Sequence, residues 1–171
     1  MLDQINARVF FLLMAARLVG DYLYAWGGDE PDEGGYDCSG FASTVLTQSA
    51  RAWPLYDNKR RSAHELFVYF DQKGCPDITD AAQFTPGCLV FYRTPGQDFS
   101  HVAIHATSVP QIALNGDMKE VGPLGFEAGG GGQGSDSPRA ALRASAGIRL
   151  TATDHHGSQE FVAKDPFVLL G

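Results

Sequence analysis

An α+β fold is predicted by a change of character midway along this chain of 171 residues. As far as Gly74, apolar side chains recur at three- and four-residue intervals, the spacing of helices with one buried face. Beyond it they gather in short β-branched and aromatic runs broken by glycine and proline, the pattern of strands joined by turns. Helices first and antiparallel strands after make N-terminal helices packed on a central antiparallel sheet, not alternating βαβ units. No internal repeat and no linker-like stretch divides the sequence, so residues 1–171 are read as one domain, long enough to bury roughly two thirds of its unfolded surface.

The first helix is expected from Gln4 to Tyr24, with Ile5, Val9, Leu12, Leu13, Ala16, Val19 and Leu23 as its apolar stripe. "WGGDEPDEGG" cannot continue it, so Trp26 to Tyr36 is a loop, with Trp26 packing it under Cys38 and the acids 29–33 solvated or inviting to amines. A second helix starts near Asp37 or Cys38 and ends before Pro54. A third fits "RSAHELFVYFDQKG", where Ser62 caps, Glu65 sits at the capping-box position and Gly74 closes the end. Phe10, Phe11, Phe67, Tyr69 and Phe70 are expected in the core.

"PGCLVFYR" and "SHVAIHAT" form an antiparallel pair about the link "TPGQDF". "QIALNGDMKEVG" makes a hairpin about Asn115-Gly116, and "SPRAALRASA" a short helix. "GIRLTATD" and "EFVAKDPFVLL" are late strands about the turn "DHHGS".

The net charge of −7 argues against a surface that neutralises phosphates or anionic lipid, so nucleic acid is excluded as a partner. Asp3, Arg8, Arg17 and Asp21 interrupt the apolar N-terminal run, which excludes membrane insertion there. That run also lacks the basic start and cleavage site of a signal peptide, so the chain is expected to be made in the cytoplasm and carried out by lysis or a particle.

Cys38, in "GGYDCSGF", has four readings: a buried small residue, half of a disulfide, a metal ligand or a nucleophile. Three cysteines without a CxxC spacing suit neither a disulfide scaffold nor a zinc knuckle. A thiol attacks as thiolate, and the start of a helix favours that anion. Cys38 is therefore read as a nucleophile, with Cys75 and Cys88 as buried small residues.

The general base that such a nucleophile needs is best supplied by His101, which opens a strand straight after a loop. His105 is the rival, on the same face of that strand but deeper. His64 falls within a helix and His155 and His156 in a turn. Glu127, Asn115 and Asp117 are the candidates for a polar group that orients the imidazole. "HVAIH" is not a zinc pair, because its spacing suits a helix and no third ligand is suggested. "GGGGQG" lacks the ending of a phosphate loop and reads as a mobile or substrate-edge loop.

"YAWGGDEPDEGGYDCSGF" followed by "PGCLVFYRTPGQDFSHVAIH" resembles the NlpC-type cell-wall cysteine peptidases, a papain-like family that cuts peptidoglycan stem peptides. Looser likeness in "FEAGGGG" and the closing "DPF" resembles the phage tail-associated branch. The resemblance implies a papain-like fold with Cys38 as nucleophile at a helix N-terminus, His101 as base and Glu127 in the third place. It implies that Tyr24, Asp37 and Ser39 line the substrate pocket, the acid pairing with the free amino terminus of a stem peptide. It implies no cofactor, cleavage between D-glutamate and the diamino acid, and phage tail proteins as partners. Cys88 stands where the family often has aspartate.

Overall fold

The computed structural model describes residues 2–107, 123–130, 146–153 and 159–171. The hairpin expected about Asn115-Gly116, with Asp117, lies outside these residues, as do residues 137–145 of the helix expected over 137–146 and the turn bearing His155 and His156. In chain order the elements are α1 (Leu2–Arg17), β1 (Asp29–Glu30), β2 (Gly35–Tyr36), α2 (Cys38–Ala50), α3 (Ala63–Gln72), β3 (Leu89–Arg93), β4 (His101–Thr107), β5 (Leu124–Gly129), β6 (Gly147–Ala152) and β7 (Glu160–Lys164). A 3-10 turn, Pro166–Leu170, closes the chain.

Five strands pair antiparallel in the order β6-β5-β4-β3-β7. The helices pack on one face, where Leu89, Phe91, Val102, Ile104, Ala128 and Ile148 meet Phe41, Val45 and Leu46 of α2 and Leu66 and Phe70 of α3. Alternation turns the intervening residues to the other face, where Phe84, Cys88, Val90, Tyr92, Ala103 and Ala163 form a second apolar cluster. The α+β expectation holds, with helices on one side of an antiparallel sheet.

Several local expectations are corrected. α1 stops at Arg17 instead of reaching Tyr24, because the Gly20 amide bonds Ile148 O and the Tyr24 amide bonds Ala146 O. Strand pairing with the start of β6 thus takes those amides from the helix ladder. The stripe on α1 is also re-phased: Ala7, Phe11, Ala15 and Leu18 are buried, while Ile5, Val9 and Leu13 are more than half exposed. Alanines at positions 7 and 15 let α1 lie close to α2, and Phe11 meets Phe167 edge-on with centroids 5.5 Å apart. Phe11 and Phe70 are buried as expected, whereas Phe10, Phe67 and Tyr69 are only partly so.

The acidic loop holds a two-stranded β1-β2 pair, and Trp26 is 56% exposed instead of buried under Cys38. β6 and β7, neighbours in sequence, lie at opposite edges of the sheet. β7 ends at Lys164 because Asp165 accepts the Phe167 amide and starts the final turn. The "DPF" segment is also anchored to the N-terminal helix: Arg8 Nη2 reaches Asp165 Oδ2 at 2.6 Å, and its guanidinium lies over the Phe167 ring.

Candidate active site

Asp37 fixes the start of α2. Its Oδ1 accepts the Gly40 amide at 2.6 Å, an N-cap that leaves the dipole's positive end beside Cys38. Gly40 is dictated by a close approach, since a Cβ there would lie 2.1 Å from the Gly28 carbonyl oxygen. The loop carrying Tyr24 and Gly28 is thereby pressed against the first turn of the helix.

Cys38 is buried, and its Sγ lies 3.9 Å from the Ser100 carbonyl oxygen, one residue before His101. The Cys38 thiol acts on the His101 imidazole through hydrogen bonding and charge. His101 Nε2 meets Glu127 Oε2 of β5 at 2.6 Å. Burial disfavours the imidazolium, but the hydrogen bonds and charges of Cys38 and Glu127 outweigh it and raise His101 to about 10. The ring also lies 5.7 Å from that of Tyr92, its partner across β3-β4.

Of the three candidates for the orienting group, Glu127 is the one the described residues bring to His101; Asn115 and Asp117 lie outside them. His105 is fully buried, bonded through Nδ1 to Thr153 Oγ1 and set against Phe84. Burial pushes it down to about 4, so it is a neutral structural imidazole. Cys75 and Cys88 are unbridged and buried, and burial raises both thiols, Cys75 to about 11. Cys88 rests against Thr85 Oγ1 at 3.2 Å.

Tyr24, Asp37 and Ser39 do gather beside Cys38, with the Tyr24 phenol held neutral by burial and by the charges of Cys38 and Asp37. The acid, however, is already engaged. Arg60 Nη2 contacts both Asp37 oxygens at 2.9 and 2.8 Å, Arg60 Nη1 donates to Ser39 Oγ, and Ser39 donates to Asp37. The Gly27 amide adds a further bond at 3.1 Å. Sequence reasoning missed Arg60, although "KRRS" just before the Ser62 cap was a visible basic cluster. It also missed Arg149, which bonds Glu127 from β6. No motif carried that signal, because the pairing depends on strand register.

Among the described residues no three His, Cys, Asp or Glu side chains assemble as metal ligands. None of their helices is long and apolar enough to cross a membrane.

A reduced cysteine at a helix start, a strand-borne histidine and a carboxylate behind it, on helices packed against an antiparallel sheet, define the papain-like class. Residues 21–132 match the NlpC/P60 family, and the chain belongs to it. Among solved structures, the NlpC/p60 domain of the peptidoglycan hydrolase SagA is similar at 19% identity and a TM-score of 0.54, over 91% of this chain and 96% of that one. A lipoprotein-like NLP/P60 protein from Staphylococcus aureus subsp. aureus Mu50 is similar at 18% identity and a TM-score of 0.48, over 88% of this chain and 42% of that one. No curated protein matches.

Proposed function

We propose that the protein is a cysteine endopeptidase of peptidoglycan stem peptides, acting as one domain over residues 1–171 without a cofactor. The observation that carries this reading is the run from Cys38 through His101 to Glu127, with His101 held as imidazolium by both neighbours. The Cys38 thiolate attacks an amide carbonyl, and the oxyanion collapses to a thioester as His101 passes its proton to the leaving amine. Water then attacks the thioester, giving one proton to His101 and the other, through the acid product, to solvent, so that the carboxylate leaves and the thiolate–imidazolium pair is restored. Glu127 keeps the imidazole aimed, and the start of α2 with the neutral Tyr24 hydroxyl offers donors to the oxyanion. The family and the SagA likeness support peptidoglycan as the substrate.

The bond proposed is that between D-glutamate and the diamino acid. Purified protein should release stem-peptide fragments from sacculi, and Cys38→Ala should release none; undiminished turnover by the variant would overturn the reading. A second reading is favoured by one observation, the Arg60 guanidinium already seated on Asp37. An amidase that cuts at the sugar-peptide link needs no free amine at that carboxylate, and mass spectrometry of the products separates the two. For delivery we propose a phage-like particle, on the likeness of "FEAGGGG" and "DPF"; co-purification with tail proteins tests it.

A further inference from the structure

Glu127 has a second neighbour besides His101. Arg149 of β6 stands directly across from Glu127 in the β5-β6 register. Its Nε and Nη2 converge on Glu127 Oε1 at 3.0 and 2.8 Å, while Oε2 of the same carboxylate holds His101 Nε2. Two rigidly spaced donors on one oxygen fix the rotation of the carboxylate, and with it the direction of the other oxygen.

Burial makes the pair necessary. The Glu127 side chain is 1% exposed and that of Arg149 46%, so the carboxylate is stripped of water while the guanidinium reaches it from the wetter edge. A buried carboxylate without a counter-charge is costly. The backbone is shaped for the contact as well: a Cβ on Gly129 would lie 2.8 Å from Glu127 Oε1 and 3.5 Å from Arg149 Nη2. The first glycine of "FEAGGGG" therefore leaves room for the ion pair.

We propose that Arg149 is a positioning residue for this site, clamping Glu127 so that its second oxygen stays aimed at His101 throughout the reaction. The proposal rests on the catalytic reading of Cys38, His101 and Glu127 above. When His101 has given its proton to the leaving amine, the imidazole is neutral and Glu127 loses one positive partner. Arg149 remains, so the carboxylate keeps its charge and orientation until water returns a proton to His101. Titratable and charged groups around His101 include Cys38 of α2, Tyr92 of β3 and Glu127 of β5, with Tyr24 acting on Cys38 and Arg149 of β6 behind Glu127. A cation in that place opposes the imidazolium, so removing it lets His101 hold its proton to higher pH.

The test uses the whole chain, a synthetic stem tetrapeptide as substrate, and iodoacetamide as a probe of the Cys38 thiolate across pH. Arg149→Gln should lower kcat about tenfold and leave KM within about twofold, the signature of lost alignment rather than lost binding. It should also move the alkaline step of the alkylation profile to higher pH. Arg149→Lys, which keeps the charge, should leave that step in place and recover part of kcat. Wild-type kcat and profile in Arg149→Gln would overturn the proposal, as would a raised KM at unchanged kcat, which would assign Arg149 to the substrate. Should Arg149→Gln fail to fold, Arg149→Lys decides alone, since wild-type kcat in a variant that cannot reproduce the fork overturns the clamp. Full turnover by Cys38→Ala would instead sink the underlying catalytic reading, whatever Arg149 does.

Discussion

A single carboxylate, that of Asp37, joins three neighbouring parts of the molecule: the first turn of α2 through Gly40, the preceding loop through Gly27, and the segment before α3 through Arg60. Its position next to Cys38 makes stability and the proposed recognition role inseparable in a simple truncation. Asp37→Ala should cost about 0.5–2 kcal/mol through the cap alone. Asp37→Asn keeps a capping oxygen and should hold most of that stability while giving up the ion pair with Arg60. Urea unfolding of the two variants separates the roles; equal losses would show that the charge, and not the cap, matters. Cys38 and His101 could be picked out from residue types and order and Glu127 only as one of three candidates, whereas Arg60 and Arg149 could not, because each acts through a partner distant in sequence.

The helices show how far local rules reach. Ser62 and Glu65 form the capping box their spacing predicts, the Ser62 hydroxyl accepting the Glu65 amide and Glu65 Oε2 accepting the Ser62 amide at 2.8 Å. Ser62→Ala should therefore cost about 1 kcal/mol by thermal or urea unfolding. α2 is the central helix, with Phe41, Val45 and Leu46 wholly buried, so Phe41→Ala should cost about 3–5 kcal/mol. A loss under about 1 kcal/mol would mean that the helix packs more loosely than these contacts require. α1 marks the limit: apolar residues occupy most of its circumference, so periodicity alone chose the wrong stripe. The small Ala7 and Ala15 were selected instead, because close approach to α2 rewards the face with the least bulk.

Across the sheet, two histidines on one face of β4 hold opposite protonation states, and together they shape the pH dependence of the whole molecule. His105, pushed down to about 4, contributes stability that is present above about pH 6.5 and lost as pH falls towards 4, since the unfolded chain takes up the proton first. His101, raised to about 10, contributes stability that is complete below about pH 6.5 and lost as pH climbs towards 10. Unfolding free energy measured across pH should peak near neutrality, and His105→Gln should flatten the acid side only. An unchanged acid slope in that variant would exclude His105 as its origin. The order of strands β6-β5-β4-β3-β7 sets all of this, and it could not be read from strand propensities: β6 and β7, expected about one turn, close opposite edges. Residue types and spacing were enough to specify the helix-then-sheet class, the cap on α3, and the proposed nucleophile and base, since each is written in a few neighbouring positions. The phase of α1, the exposure of Trp26, the Arg60 contact with Asp37 and the Arg149 clamp on Glu127 came from tertiary packing, because each depends on which distant surfaces meet and in what register.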